Sequence, residues 1–212
     1  MANRKKKVQV HQANQRRAKQ QQYEIESKKL SMFTFIALGV GVLLLLLLFV
    51  NFADVYNTTE GVGVEVKASG WSFIMAALTG QYDSPNAIYG DLAMPFYYDA
   101  AQWCETVATF ALLSLVVILF NIAVQIIAVV KKMYVLNVAS AILSVVTAVL
   151  LIVCFAEGLA MKDGTILSRY CNGNPACSIR SYAIVPAIFS LGGCVLNVFT
   201  TVKHFKASSL LK

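Results

Sequence analysis

The sequence is poor in the groups that perform chemistry at neutral pH. Its 212 residues include two histidines, four prolines and only 14% charged side chains, against 58% hydrophobic ones. Both histidines, His11 and His204, fall in polar terminal segments. HExxH, GxSxG and a phosphate-cradling glycine loop are all missing, and no pair of carboxylates lies inside an apolar run. These absences predict a protein that is not an enzyme and that holds no cofactor and no metal. Proton-coupled pumps and voltage sensors use ionisable groups within the membrane, so active transport is disfavoured on the same ground.

Charge is missing altogether from the interior of four long stretches, 32–52, 103–130, 133–156 and 183–202; the first charge met is Glu105, at a rim. A hydrocarbon core about 30 Å thick takes roughly 20 helical residues, so each stretch is long enough to cross. The expected fold is an all-α membrane protein, a four-transmembrane-helix bundle with a small extracellular cap of strand and helix.

What charge there is has been sorted by segment. Residues 1–31 carry nine Lys/Arg, among them Arg4, Lys5, Lys6, Lys7, Lys28 and Lys29. The link between the second and third runs adds Lys131 and Lys132, and the end of the chain adds Lys203, Lys206 and Lys212. Segments 53–102 and 157–182 hold only Lys67, Lys162, Arg169 and Arg180, together with eight of the eleven acidic residues. Basic residues beside spans stay cytoplasmic. Both tails, 1–31 and 203–212, are therefore expected inside a cell membrane, and the two longer loops outside. The net charge of +7 is explained by topology, with no nucleic acid required. A cleaved signal peptide would need a shorter basic region, a shorter apolar run and a small-x-small site, so the first run reads as a retained anchor.

Residues 1–31 are rich in Gln and Lys and nearly free of large apolar side chains, which predicts either disorder or a helix lying against the membrane. Anionic lipid headgroups are the partner such a segment would attract, at about 1 kcal/mol per basic residue near the surface; a topology determinant alone explains it as well.

Loop 53–102 has a soluble-domain pattern. Val62, Val64 and Val66 alternate with polar or small residues, a strand signal. Gly70 interrupts, and Trp71, Ile74, Met75 and Leu78 follow at helical spacing. Trp71, Tyr89, Phe96, Tyr97 and Tyr98 form a candidate contact surface, with an interfacial aromatic belt as the plainer reading. Asn57-Thr58-Thr59 fits a glycosylation acceptor.

There are five cysteines. Cys171 and Cys177 flank a turn-rich segment in the second outer loop, and a disulfide is expected there. Cys104 and Cys154 lie near the outer ends of their runs, leaving a second bridge open. Cys194 reads as a small packing residue.

The remaining polar residues recur at helical spacing: Ser114, Asn121 and Gln125 in the second run, Asn137, Ser140, Ser144 and Thr147 in the third, Ser190, Cys194, Asn197 and Thr201 in the fourth. In lipid such stripes face neighbouring helices. Counted from the cytoplasmic ends at 1.5 Å per residue, Gln125, Asn137 and Asn197 lie about 8 Å deep and Asn121 about 14 Å. The four amides are expected to turn towards one another in the inner half of the bilayer.

The layout over 32–202, with inside termini, a first outer loop of about 50 residues, a tight inner link and a shorter second loop, resembles the claudin-type four-helix arrangement. Claudins carry a Trp, then Gly-Leu-Trp, then two cysteines in their first outer loop. Here only Gly70-Trp71 matches, with no cysteine between 53 and 103, so the resemblance implies topology and not a paracellular barrier. The stretches Lys67-Ala68-Ser69-Gly70-Trp71-Ser72-Phe73 and Gly90-Asp91-Leu92-Ala93-Met94-Pro95-Phe96 are similar to four-helix membrane proteins of Gram-positive bacteria. The expected function is a protein-interaction or structural role through the outer loops, with the bilayer, another copy or another membrane protein as partner. The alternative is a small channel or facilitator lined by the polar stripes of the second, third and fourth runs.

Overall fold

A computed structural model describes residues 2–57, 64–81, 101–164 and 177–209. Among the described residues five α-helices and three strands succeed one another: α1 (Ala2–Leu47), β1 (Asn51–Asn57), β2 (Val64–Ser69), α2 (Gly70–Leu78), α3 (Ala101–Val130), α4 (Asn137–Gly164), β3 (Cys177–Arg180) and α5 (Ile184–Ser209). Four of the helices are long and apolar enough to cross a membrane. They pack as a ring in the order α1, α3, α4, α5, with α5 closing against α1. The chain is a multi-pass membrane protein built on an all-α bundle.

The side chains are distributed as a lipid solvent demands. Buried positions recur every three or four residues, as in Leu30, Thr34, Ala37, Gly41 and Leu44 of α1 and Leu48 just beyond it. In α5 they are Pro186, Ala187, Ser190, Gly193, Asn197, Thr200 and Ala207. Small and polar residues face inwards while the large aliphatics and aromatics face outwards: Val195 is 68% exposed and Phe35 64%. In water that surface would be untenable. In hydrocarbon no hydrophobic force drives helices together, and close approach of small residues does.

The strands form a three-stranded sheet in the order β2-β1-β3, antiparallel throughout. Both long loops contribute to it, since β1 and β2 come from the first and β3 from the second. The junction with the bundle is built from helix ends. The Gly70 and Trp71 amides, orphans at the start of α2, donate to the Val50 and Leu48 carbonyls just beyond α1, at 3.0 and 2.8 Å. The Ser69 hydroxyl caps α2 by accepting from the Ser72 amide at 3.1 Å. Beneath lies an apolar core of Leu48, Phe52, Phe73, Ile74, Val107, Leu151 and Cys154. Gly70 is required there. A Cβ at that position would stand 2.6 Å from the Phe52 ring and 2.8 Å from the Leu48 carbonyl oxygen.

Several expectations need correction. Residues 2–31, read as disordered or as a separate surface helix, continue the first span in one 46-residue helix. The first span ends earlier than the apolar run does, because Asn51 and Phe52 already belong to β1. The third helix begins at Asn137 after a 3-10 turn over Tyr134–Leu136 and continues to Gly164, into the segment read as loop. The last span runs on to Ser209, so most of the terminal tail is helical.

Candidate functional site: a polar column inside the bundle and a folded cap above it

All four amides face the interior. Asn121, Gln125, Asn137 and Asn197 are each at least 97% buried, and Thr34, Ser140, Ser144, Ser190 and Thr200 join them. Their partners differ from the expectation. Instead of pairing with one another, two of the amides, Asn121 and Asn137, meet hydroxyls. The Asn121 Nδ2 donates to Ser144 Oγ at 3.2 Å, tying α3 to α4. The Asn137 Nδ2 donates to Thr34 Oγ1 at 3.2 Å, tying α4 to α1 across the diagonal of the ring. Ser190 Oγ donates to the Ser144 carbonyl at 2.7 Å and joins α5 to α4.

That last bond sets the register of the two antiparallel helices. Seven residues from Ser144 and from Ser190, both towards the tail end, stand Asn137 and Asn197, which therefore share a level. Gln125 stands four residues tailward of Asn121, level with Ser140. The polar groups thus form a column about 10 Å long at 1.5 Å per residue. Above it, at the cap end, Ser114 Oγ is satisfied by the Phe110 carbonyl at 2.8 Å, and the neighbours are Ala111, Ile118, Leu151 and Ala187.

The α5 stripe differs by a residue from its sequence reading. Cys194 and Thr201 are only half-buried; Gly193 and Thr200 take the inward positions. A Cβ at Gly193 would already touch Val40 at 3.4 Å and Ser144 Oγ at 3.7 Å, so the helices meet where the side chain is smallest. Sequence reasoning also missed Thr34, although a lone hydroxyl at the start of a Leu-rich run was the available signal. His204, assigned to a solvated tail, lies on the buried face of α5 two turns beyond Asn197, its ring 5.8 Å from that of Tyr134. Tyr134 donates to the Ser27 carbonyl at 3.3 Å and packs with Leu30, Ala207 and Tyr23, holding the basic helix to the 131–136 link.

In the cap, Trp71 stacks on Phe49 with ring centroids 5.4 Å apart. Phe49, Met75 and Leu78 are exposed beside it, continuous with the lipid-facing surface of α1. Tyr89, Phe96, Tyr97 and Tyr98 lie outside the described residues, as does Cys171; Cys177 opens β3, so the expected Cys171–Cys177 bridge is not among the described contacts. Cys154 is a free thiol, its Sγ 3.8 Å from the Val107 carbonyl oxygen, which removes a bridge to Cys104. Asn57 ends β1, and the rest of its acceptor tripeptide lies outside the described residues. No family model matches the chain, and no curated protein does.

Proposed function

We propose that the protein is a non-enzymatic component of the cell membrane whose cap makes contact with protein, either another copy or a different membrane protein. The observation that carries this reading is the pairing of β1 with strands from both loops. Joining two spans requires a few residues of turn. A sheet assembled from both loops, helix-capped and packed on Phe52 and Phe73, is a built surface, and surfaces of that kind are used for recognition. The charge asymmetry of the sequence supports cytoplasmic termini and an outward cap. Lys28 and Lys29, beside the span, are suited to anionic headgroups, whereas Arg4–Lys7 lie about 36 Å of helix away.

The test is a photo-crosslinking residue at Gln81 or Thr79, both exposed on the cap, irradiated in native membranes. Discrete protein adducts are expected at both. Adducts to lipid alone, or none, would overturn the reading. Orientation is checked separately with Gln81→Cys and an impermeant maleimide: labelling of intact cells above the native background is expected, and labelling only after lysis would invert the topology.

A further inference from the structure

We infer that the tail-end half of the bundle holds a short file of hydrogen-bonded water, entered beside His204 and closed at the level of Ser144. The inference rests on which amide atoms remain without partners. Thr34 gives its one proton to the Leu30 carbonyl at 3.0 Å, so it can only accept from Asn137, and the Nδ2 must face it. Ser144 gives its proton to the Ser140 carbonyl at 2.8 Å and likewise can only accept from Asn121. The amide orientations are thereby fixed by the network. They leave the Oδ1 of Asn121 and of Asn137 buried with no partner among the described residues; Gln125 Oε1, Ser140 Oγ and both side-chain nitrogen and oxygen atoms of Asn197 stand the same way. His204 Nδ1, at the tail end of the same face of α5, completes the series.

The unpaired set identifies its occupant. A single bare cation cannot serve groups spread over about 20 Å of helix rise between the Ser144 level and His204, nor can it use the Asn197 Nδ2, which is a donor. No carboxylate lies in the interior of any of the four runs, Glu105 standing at a cap-end rim, to offset a divalent charge. Water both donates and accepts, and about seven molecules at hydrogen-bond spacing cover the distance. Excluding it would strand several carbonyl oxygens in a medium that offers no other partner. Among the described residues the cap-end half has no such demand, because Ser114 and Thr147 return their protons to their own helices. The file is therefore a blind vestibule, and the chain by itself is not a pore.

The experiment is water-edited solid-state NMR on the intact protein in lipid bilayers with labelled Asn, Gln and Ile. The side-chain amides of Asn121, Asn137 and Asn197 are expected to receive water magnetisation as early as exposed Gln81 does, and well ahead of the buried Ile118 methyls. Build-up of the three amides as late as Ile118 would overturn the proposal. Asn197→Leu, with its thermal transition retained, is expected to delay build-up at Asn137 several-fold; an unchanged Asn137 would rule out a continuous file. Exchange of sodium for choline should leave all three amide shifts in place, and a shift would assign the site to a cation instead.

Discussion

The two halves of the bundle solve the same packing problem with different materials. At the cap end, Phe52, Phe73, Ile74, Val107 and Leu151 fill space with apolar volume beneath a sheet. At the tail end Asn, Gln, Ser and Thr line the interior above a small Leu30–Tyr134–Ala207 cluster, and helices are joined by single hydrogen bonds. Volume in a dry core cannot be removed without leaving a cavity. A hydrogen bond inside a membrane has a smaller net value, because its groups also find partners when helices separate. The cap end should therefore dominate stability, and the tail end should tolerate substitution.

The most damaging change expected is Phe52→Ala. It empties a fully buried site and should cost about 3–5 kcal/mol, read as a large fall in the thermal unfolding midpoint in detergent. Gly70→Ala comes next. Its new Cβ meets a backbone oxygen as well as the Phe52 ring, and overpacking of that kind costs about 1–3 kcal/mol; the same melt measures it. Asn121→Leu should cost only about 0.6 kcal/mol, since Ser144 keeps its own bond to Ser140. A melting loss for Asn121→Leu as large as that for Phe52→Ala would erase the contrast between the halves. The smallest effect belongs to Lys29→Ala. Lys29 pairs with Glu26 at 3.2 Å on an exposed helix face, and such pairs contribute about 0–0.5 kcal/mol; added salt should leave the native melt unmoved within that range.

The four spans and the inward faces of α3 and α4 were legible in sequence because lipid excludes charge and because Asn121, Gln125, Asn137 and Ser144 stand out against aliphatic neighbours. The α2 helix was legible too: the expected start at Trp71 is one residue from the observed Gly70. β2 was found in part, its Val64 and Val66 lying inside the expected alternation. β1 was hidden, since Asn51 and Phe52 read as the end of an apolar run, and the strand is defined by partners elsewhere in the chain. β3, at four residues, carries too short a pattern to show a period. The continuity of residues 2–31 with the first span, where a helix lying against the membrane was one of two readings, was hidden for a related reason. Its composition predicts no core of its own, and its contacts are supplied by Tyr134 and Ala207 from distant parts of the sequence. Local pattern reports local burial, and these elements depend on remote contacts.

The central place of β1 has a consequence for biosynthesis. Asn57 is paired with Cys177, some 120 residues later, so that edge of β1 lacks its β3 partner until the second loop has been made. At roughly 5–20 residues per second that interval is about 6–24 s. During it the strand presents an open row of amides and carbonyls, free to accept a strand from a neighbouring nascent chain. Insertion of the last helix is what closes that interval, and a ribosome stalled before residue 177 would leave a product primed to exchange strands with its neighbours.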